Sequence, residues 1–261
     1  MSTVSYTHLD VYKRQGQHFL IDQEIIHKII DAILKIDSKN VLEIGPGKAA
    51  ITKFLIRKVE NFKAVDADKD MFEFLVKQFP NKKNVFILQD VLKTNFEEIF
   101  KGEEFLLCGN FPYNISSQII FKALENNHLV PEFLGMFQKE MAHRIVAKPR
   151  TKDYGILSVL CALVFERELL FDIPPESFSP PPSIMSSFVY LKRKKHDIDK
   201  ETFSKLKTFV KMSFQFRRKT LRNNLKTSNI PIEELKDEYY DKRPEEILPE
   251  EFLRLTKKFL I

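Results

Sequence analysis

The run Val41-Leu42-Glu43-Ile44 stops at Gly45-Pro46-Gly47, and a helical pattern follows through Val59. A short apolar strand, a glycine turn and a helix together open a nucleotide-binding α/β unit. Glycine lets the backbone approach a ligand closely, and the helix N-terminus just beyond offers unpaired amide donors. The same order is the start of a dinucleotide fingerprint, with Asp66 placed to bind ribose hydroxyls. Ala50 stands where the third glycine of that fingerprint would fall, which alanine sometimes does. On its own the turn leaves a dehydrogenase and a methyltransferase both open.

The rest of the first two thirds repeats the alternation. Ile25, Ile26, Ile29, Ile30, Ile33 and Leu34 form a helical apolar stripe. Strands are expected at Phe62 to Val65, Val85 to Leu88, Phe105 to Cys108 and Phe133 to Phe137, then at Leu169 to Ile173 and Phe188 to Leu191. Helices are expected at Lys69 to Gln78 and, after Ser116 as N-cap, at Gln118 to Glu125. This pattern predicts a doubly wound α/β sheet whose ligands bind beyond the carboxyl ends of the strands. Gly45, Asp66, Asp90 and Asn110 fall at those ends, one per strand. Pro174-Pro175 and Pro180-Pro181-Pro182 bracket a stiff loop before the last strand, since proline cannot donate to a ladder.

Asp66 can take both ribose hydroxyls of a nucleoside, and Asp90 can accept from an adenine amino group. With the glycine turn they describe an adenosine-shaped pocket. Asn110-Phe111-Pro112-Tyr113 separates the two enzyme classes. The amino nitrogen of adenine is a poor nucleophile because its lone pair is delocalised into the ring. The Asn110 side-chain oxygen and a main-chain carbonyl, that of Phe111, can each accept from that NH2 and draw the nitrogen toward tetrahedral geometry. Pro112 stiffens the turn, and Tyr113 offers a face for a flipped-out base. A sulfonium methyl donor is already activated, so positioning and desolvation carry the rest.

Charge points to the acceptor. From Lys192 to Ile261 there are 19 Lys and Arg against 12 Asp and Glu, while the first 191 residues hold 23 against 24. The excess is densest from Lys192 to Lys226, which suits a polyanion such as nucleic acid. Phe203, Leu206, Phe209 and Val210 mark one amphipathic helix there, and further helices are expected at Arg218 to Leu225, Ile232 to Tyr239 and Pro249 to Phe259. Arg217, Arg218, Lys219 and Arg222 are expected on the second of these, facing phosphates. The apolar run Ile156 to Phe165 is too short to span a bilayer. Cys108 and Cys161 lie in apolar runs, as buried thiols do. The six histidines form no metal-ligand cluster.

These motifs resemble the ribosomal RNA adenine N6,N6-dimethyltransferases, most closely the bacterial members acting on 16S rRNA. The resemblance runs from Gly16 to the C-terminus. It is carried by Gly16-Gln17-His18-Phe19-Leu20, the Glu43 glycine turn, the Asn110 tetrapeptide, Gln138 to Arg144, Tyr154 to Ser158, Ser177 to Pro182 and Phe216 to Asn223. It implies a Rossmann-like class I methyltransferase domain at residues 16–192 and a small all-helical RNA-binding domain at 193–261. Residues 1–15 are expected to be a flexible tail, partly foreign to the natural protein.

The methyl donor implied is S-adenosylmethionine, held by His18, Leu20, Gly45, Asp66, Asp90 and Asn110, with no metal. Phe178 is implied to face the target adenine opposite Tyr113. The reaction implied is dimethylation of two adjacent adenosines near the 3′ end of 16S rRNA, during small-subunit assembly, by a cytoplasmic monomer without membrane contact. Two other readings share the scaffold: a large-subunit methyltransferase conferring macrolide resistance, and a non-catalytic RNA-binding assembly factor. Many family members carry Asn in place of His18, and Leu or Ile in place of Phe111.

Overall fold

The computed structural model describes residues 18–259 apart from 197, 227 and 229. The expected tail, and Gly16 and Gln17, lie outside the described residues. The chain forms two compact units. The first comprises Met1–Lys139 and Leu170–Tyr190, the second Glu140–Leu169 and Leu191–Ile261.

The first unit opens with β1 (Phe19–Leu20) and α1 (Gln23–Leu34). Asp22 caps α1, its Oδ1 accepting from the amides of Glu24 at 2.9 Å and Ile25 at 3.2 Å. The isoleucine stripe turns inward as its spacing predicts, and Ile25, Ile26, Ile29, Ile30 and Ile33 are all buried. Then follow β2 (Asn40–Ile44), α2 (Thr52–Lys58), β3 (Asn61–Asp66), α3 (Lys69–Gln78), β4 (Phe86–Leu88), α4 (Phe96–Ile99), β5 (Leu106–Asn110), α5 (Ser116–Glu125) and β6 (Glu132–Gln138). β2 pairs in parallel with β3 and with β5, β3 with β4, and β5 with β6. All five residues of β2 are buried, as befits a central strand covered on both faces.

Ser116 is not the N-cap of α5. That place belongs to Ile115, which makes no side-chain cap, and Ser116 is the first helical residue. Its hydroxyl instead donates to the Tyr113 carbonyl at 3.1 Å, bracing the turn before it.

The chain continues through α6 (Lys139–Val146), α7 (Ile156–Val164), β7 (Phe165–Ile173), β8 (Phe178–Ser179) and β9 (Ser186–Arg193). The seven-stranded sheet runs β4-β3-β2-β5-β6-β9-β7, and β1 pairs with β8 in a separate two-stranded ladder. The β1–β8 ladder sets Phe19 opposite Ser179 and Leu20 opposite Phe178.

In the second unit, the apolar run at Ile156 is a helix buried along eight of its nine residues. A helix apolar on every side belongs in a core. Arg167 ties this helix to the preceding one, donating from Nη1 to the carbonyls of Ile145 at 2.9 Å and Ser158 at 3.1 Å. After β9 all regular structure among the described residues is helical: α8 (Lys200–Ser213), α9 (Leu221–Leu225), three 3-10 turns and α10 (Pro249–Phe259). The helix expected over Ile232 to Tyr239 is two separate 3-10 turns, Ile232–Leu235 and Glu238–Asp241, the second capped by Asp237. No helix among the described residues is long and apolar enough to cross a membrane.

Candidate active site

β2 and β5 lie side by side, yet β3 follows on one side of β2 and β6 on the other side of β5. Strand order therefore reverses between β2 and β5, and a crevice opens beyond their carboxyl ends. Gly45 leaves one strand there and Asn110 ends the other. The strands approach closely, for a Cβ on Gly109 would lie 2.3 Å from the Ile44 carbonyl oxygen. Gly45 has φ +68°, and a Cβ on it would meet the Asn110 carbonyl oxygen at 3.5 Å and Pro112 Cδ at 3.7 Å. Both positions require glycine, one for space and one for backbone conformation. They put the glycine turn and the tetrapeptide face to face.

A cavity of about 370 Å³ lies between them, lined by His18, Leu20, Gly45, Asp66, Asn110, Phe111, Pro112 and Tyr113. That volume is in the range of small-ligand sites. The Asn110 amide is oriented, since Nδ2 donates to the His18 carbonyl at 3.1 Å. A carbonyl only accepts, so the NH2 end is held there and Oδ1 remains to accept a further hydrogen bond. His18 is fixed in turn, because Nδ1–H donates to the Pro180 carbonyl at 2.8 Å. The Tyr113 hydroxyl shares a 2.6 Å hydrogen bond with Ser186 Oγ. The Tyr113 ring stands 5.6 Å from that of His18 at an interplanar angle of 31°. Burial raises the Tyr113 phenol above its ordinary range, and the Ser186 hydrogen bond opposes the rise.

Phe111 divides its roles. Its side chain is buried and packs on Phe133 and Phe137, with ring centroids at 5.3 Å in each case. Core packing therefore anchors the residue while its main chain stays at the cavity wall.

The carboxyl groups at the site sit in a dry environment. Glu43 is 1% exposed, and the Thr52 hydroxyl donates to its Oε2 at 2.8 Å. Burial pushes its pKa up to about 8, opposed by the Thr52 hydrogen bond and helped by neighbouring Asp66. Burial also raises Asp66, against the backbone amides of Asp68, Gly47 and Ala67. The donor implied by the sequence, a nucleoside with a sulfonium on an amino-acid tail, fits these residues. The glycine cradle admits close backbone approach, Asp66 can accept from a diol, and Leu20 and Ile51 give an apolar wall.

Two expected residues are not part of this lining. Asp90 lies two residues past β4, and its Oδ1 accepts from the Leu92 amide at 2.9 Å, within its own turn. Phe178 is 2% exposed and belongs to the apolar core of the first unit, where the β1–β8 ladder sets it opposite Leu20. Its ring has no face open to a base in this conformation. Conversely, the cavity includes Phe19, Lys48 and Lys53. Phe19 belongs to the motif that begins at Gly16, but a lysine after a glycine turn carries no signal of its own.

The basic segment also differs from expectation. The helix expected from Arg218 begins only at Leu221, with Thr220 as N-cap. Arg217, Arg218 and Lys219 therefore precede α9, and only Arg222 lies on it. Arg222 Nη2 is engaged inside the second unit, donating to the carbonyls of Asp237 at 3.0 Å and Lys236 at 3.3 Å and to Asp241 Oδ2 at 3.1 Å. Arg217 donates to the Lys152 carbonyl and has Glu245 3.6 Å away. The Lys219 ammonium lies 4.7 Å from the centre of the Phe216 ring. Arg218 is exposed.

Known proteins are similar to this chain in sequence and fold. The ribosomal RNA small subunit methyltransferase A of Flavobacterium johnsoniae is 44% identical over 94% of this chain and 94% of its own length. That of Bacteroides thetaiotaomicron is 41% identical over 93% of this chain and 91% of its own. The crystal structure of a dimethyladenosine transferase from Plasmodium falciparum superposes with a TM-score of 0.75 at 26% identity, over 91% of this chain and 96% of that one. A 23S rRNA methyltransferase, ErmE, shares the fold, with a TM-score of 0.68 at 22% identity over 92% of this chain and 99% of that one. The family described as ribosomal RNA adenine dimethylase matches residues 10–247. By both sequence and fold, this chain belongs to the ribosomal RNA adenine dimethylase family.

Proposed function

We propose that this protein uses S-adenosylmethionine to dimethylate the N6 amino group of two adjacent adenosines near the 3′ end of 16S rRNA, as a step in small-subunit biogenesis. The observation that carries this reading is the orientation of Asn110. Its NH2 is held by the His18 carbonyl, so Oδ1 is left to accept from an adenine amino group. The named relatives, small-subunit methyltransferases over nearly the whole chain, support the choice of RNA.

The donor supplies a methyl group already activated by a sulfonium. The chain supplies position. Asn110 Oδ1 and the Phe111 carbonyl accept from the adenine NH2 and favour a tetrahedral nitrogen. Pro112 holds the turn, and Tyr113 presents its ring to the extruded base. Asp66 takes the ribose hydroxyls of the donor, while His18, Leu20 and Gly45 border its methionine end. Asp90 serves the donor adenine once its side chain turns from the Leu92 amide, and Phe178 supports β1 from the paired strand β8. Residues 16–192 act as the methyltransferase portion and 193–261 as the RNA-binding portion, with Arg218 and Lys219 the foremost phosphate contacts. We place this work in the cytoplasm, by a monomer acting on the small subunit or its precursor.

The test is incubation of undermethylated small-subunit particles, and separately of large-subunit RNA, with the protein and labelled donor. Dimethyladenosine should map to adjacent positions near the 16S 3′ end. Label appearing only in large-subunit RNA would overturn the choice of substrate. Failure to bind S-adenosylhomocysteine would point instead to a non-catalytic assembly factor.

A further inference from the structure

Lys48 follows the glycine turn directly, and it lines the cavity. Its ammonium lies over the Phe19 ring, 4.5 Å from the centroid. Phe19 is flanked by His18 and Leu20, which border the same cavity. The contact is close along the backbone as well, since a Cβ on Gly47 would stand 3.3 Å from that ring. Lys48 is thus laid along β1 at the edge of the cavity.

The charges of the cavity wall complement those of the donor. S-adenosylmethionine carries two cationic groups, a sulfonium and an ammonium, together with a ribose diol and one carboxylate. Glu43 and Asp66 are the acids in the lining, Glu43 is turned to Thr52, and Asp66 suits the diol. The donor carboxylate needs a cation or a set of amide donors. Among the described residues, only Lys48 and Lys53 offer an ammonium in the lining. Lys53 lies over Phe54, 5.0 Å from its centre, and that ring meets His27 of α1 at 5.5 Å. It therefore points along the α1 side. Lys48 is the one beside β1, where His18 and Leu20 would border the methionine end. It carries no salt bridge to a carboxylate among the described residues.

We propose that Lys48 binds the carboxylate of the donor's methionine moiety, swinging from the Phe19 face to do so. The ring then acts as a resting place for the ammonium when no donor is bound, at the modest energy of an exposed cation–π contact. The inference rests on S-adenosylmethionine as the donor. It makes Lys48 a determinant of the amino-acid end of the ligand, not of the RNA.

The test compares two ligands that differ in that end. S-adenosylhomocysteine carries the carboxylate, and 5′-methylthioadenosine lacks the whole amino-acid group. Calorimetry with the full chain should show Lys48→Met weakening S-adenosylhomocysteine by about tenfold, the size expected for one charge-assisted hydrogen bond. Methylthioadenosine affinity should stay within about twofold, and Lys48→Arg should restore most of the loss, since its guanidinium also pairs with carboxylates. Equal weakening of both ligands, or no weakening of either, overturns the inference. So does a loss confined to RNA affinity, which would make Lys48 a phosphate contact. Should the unaltered protein bind neither ligand, the donor reading itself fails, a result distinct from any behaviour of the variants.

Discussion

The Phe111 ring occupies the space above Gly135, where a Cβ would stand 2.1 Å from one of its carbons. Gly135 lies on β6 opposite Gly109, so two glycines side by side clear room for this ring. The consequence reaches the cavity, because Phe111 is also the second residue of the Asn110 turn. Gly135→Ala should displace the ring and move the turn, costing about 1–3 kcal/mol as overpacking does. Methyl transfer should fall further than stability alone explains. Phe111→Leu, a shorter side chain, should restore much of both in the double variant. Urea unfolding and turnover of the two single variants and the double variant would measure this coupling. Strict additivity would mean that the ring and Gly135 act independently.

Asn110 invites a second test. Its amide makes one hydrogen bond to the His18 carbonyl and leaves Oδ1 at the cavity. Asn110→Ala removes the acceptor for the adenine NH2, and transfer should drop by about 100-fold or more, as for other single hydrogen bonds aimed at a transition state. RNA affinity should change little. S-adenosylhomocysteine should still bind, somewhat more weakly because β1 loses a tether. Single-turnover assays alongside both binding measurements separate these effects, and normal turnover in the variant would contradict the role given to Asn110.

The sequence discloses the site better than its surroundings, for physical reasons. The glycine turn, Asp66 and Asn110 sit at strand ends, where local chemistry and topology coincide. The isoleucine stripe of α1 was legible because its period is helical. Ile156–Val164 was not, because a segment apolar on every face has no period to read. The basic segment misled in another way. Charge alone gave no sign that Thr220 would cap α9 and leave Arg218 ahead of it, or that Arg222 would turn inward. Lys48 and the buried face of Phe178 depend on the β1–β8 ladder, which joins residues far apart in the chain.

That difference between Arg218 and Arg222 yields a third prediction. Arg218→Glu alters an exposed residue, so thermal stability should hold while RNA affinity falls. The slope of log affinity against log salt should shrink by about one for each phosphate that is no longer paired. Arg222→Glu would set a carboxylate against two carbonyls and Asp241, so the second unit should lose about 1–3 kcal/mol of stability. Its RNA binding would then fail through unfolding. Melting curves and RNA titrations over several salt concentrations distinguish the two. An Arg222 variant with an unchanged melting temperature would show the inward hydrogen bonds to be dispensable.

Glu43 gives the last prediction, and its sign follows from burial. Its pKa is about 8 in the folded chain against 4.5 for the exposed group. Between those values the folded state holds a proton that the unfolded state has released. Stability from this group is therefore greatest below the unfolded value and declines as pH rises, levelling off above the folded one. Glu43→Gln keeps a carbonyl oxygen for the Thr52 hydroxyl and has nothing to ionise. The variant should match the unaltered protein most closely near the acidic end of this window and exceed it progressively toward its alkaline end. Each pH unit between the folded and unfolded values is worth about 1.4 kcal/mol, so the divergence should amount to a few kcal/mol. All other titrating groups are common to the two proteins, so the difference between their unfolding free energies isolates this carboxyl. Urea unfolding of both across the window measures it, and parallel curves would mean that Glu43 is ionised in the folded chain.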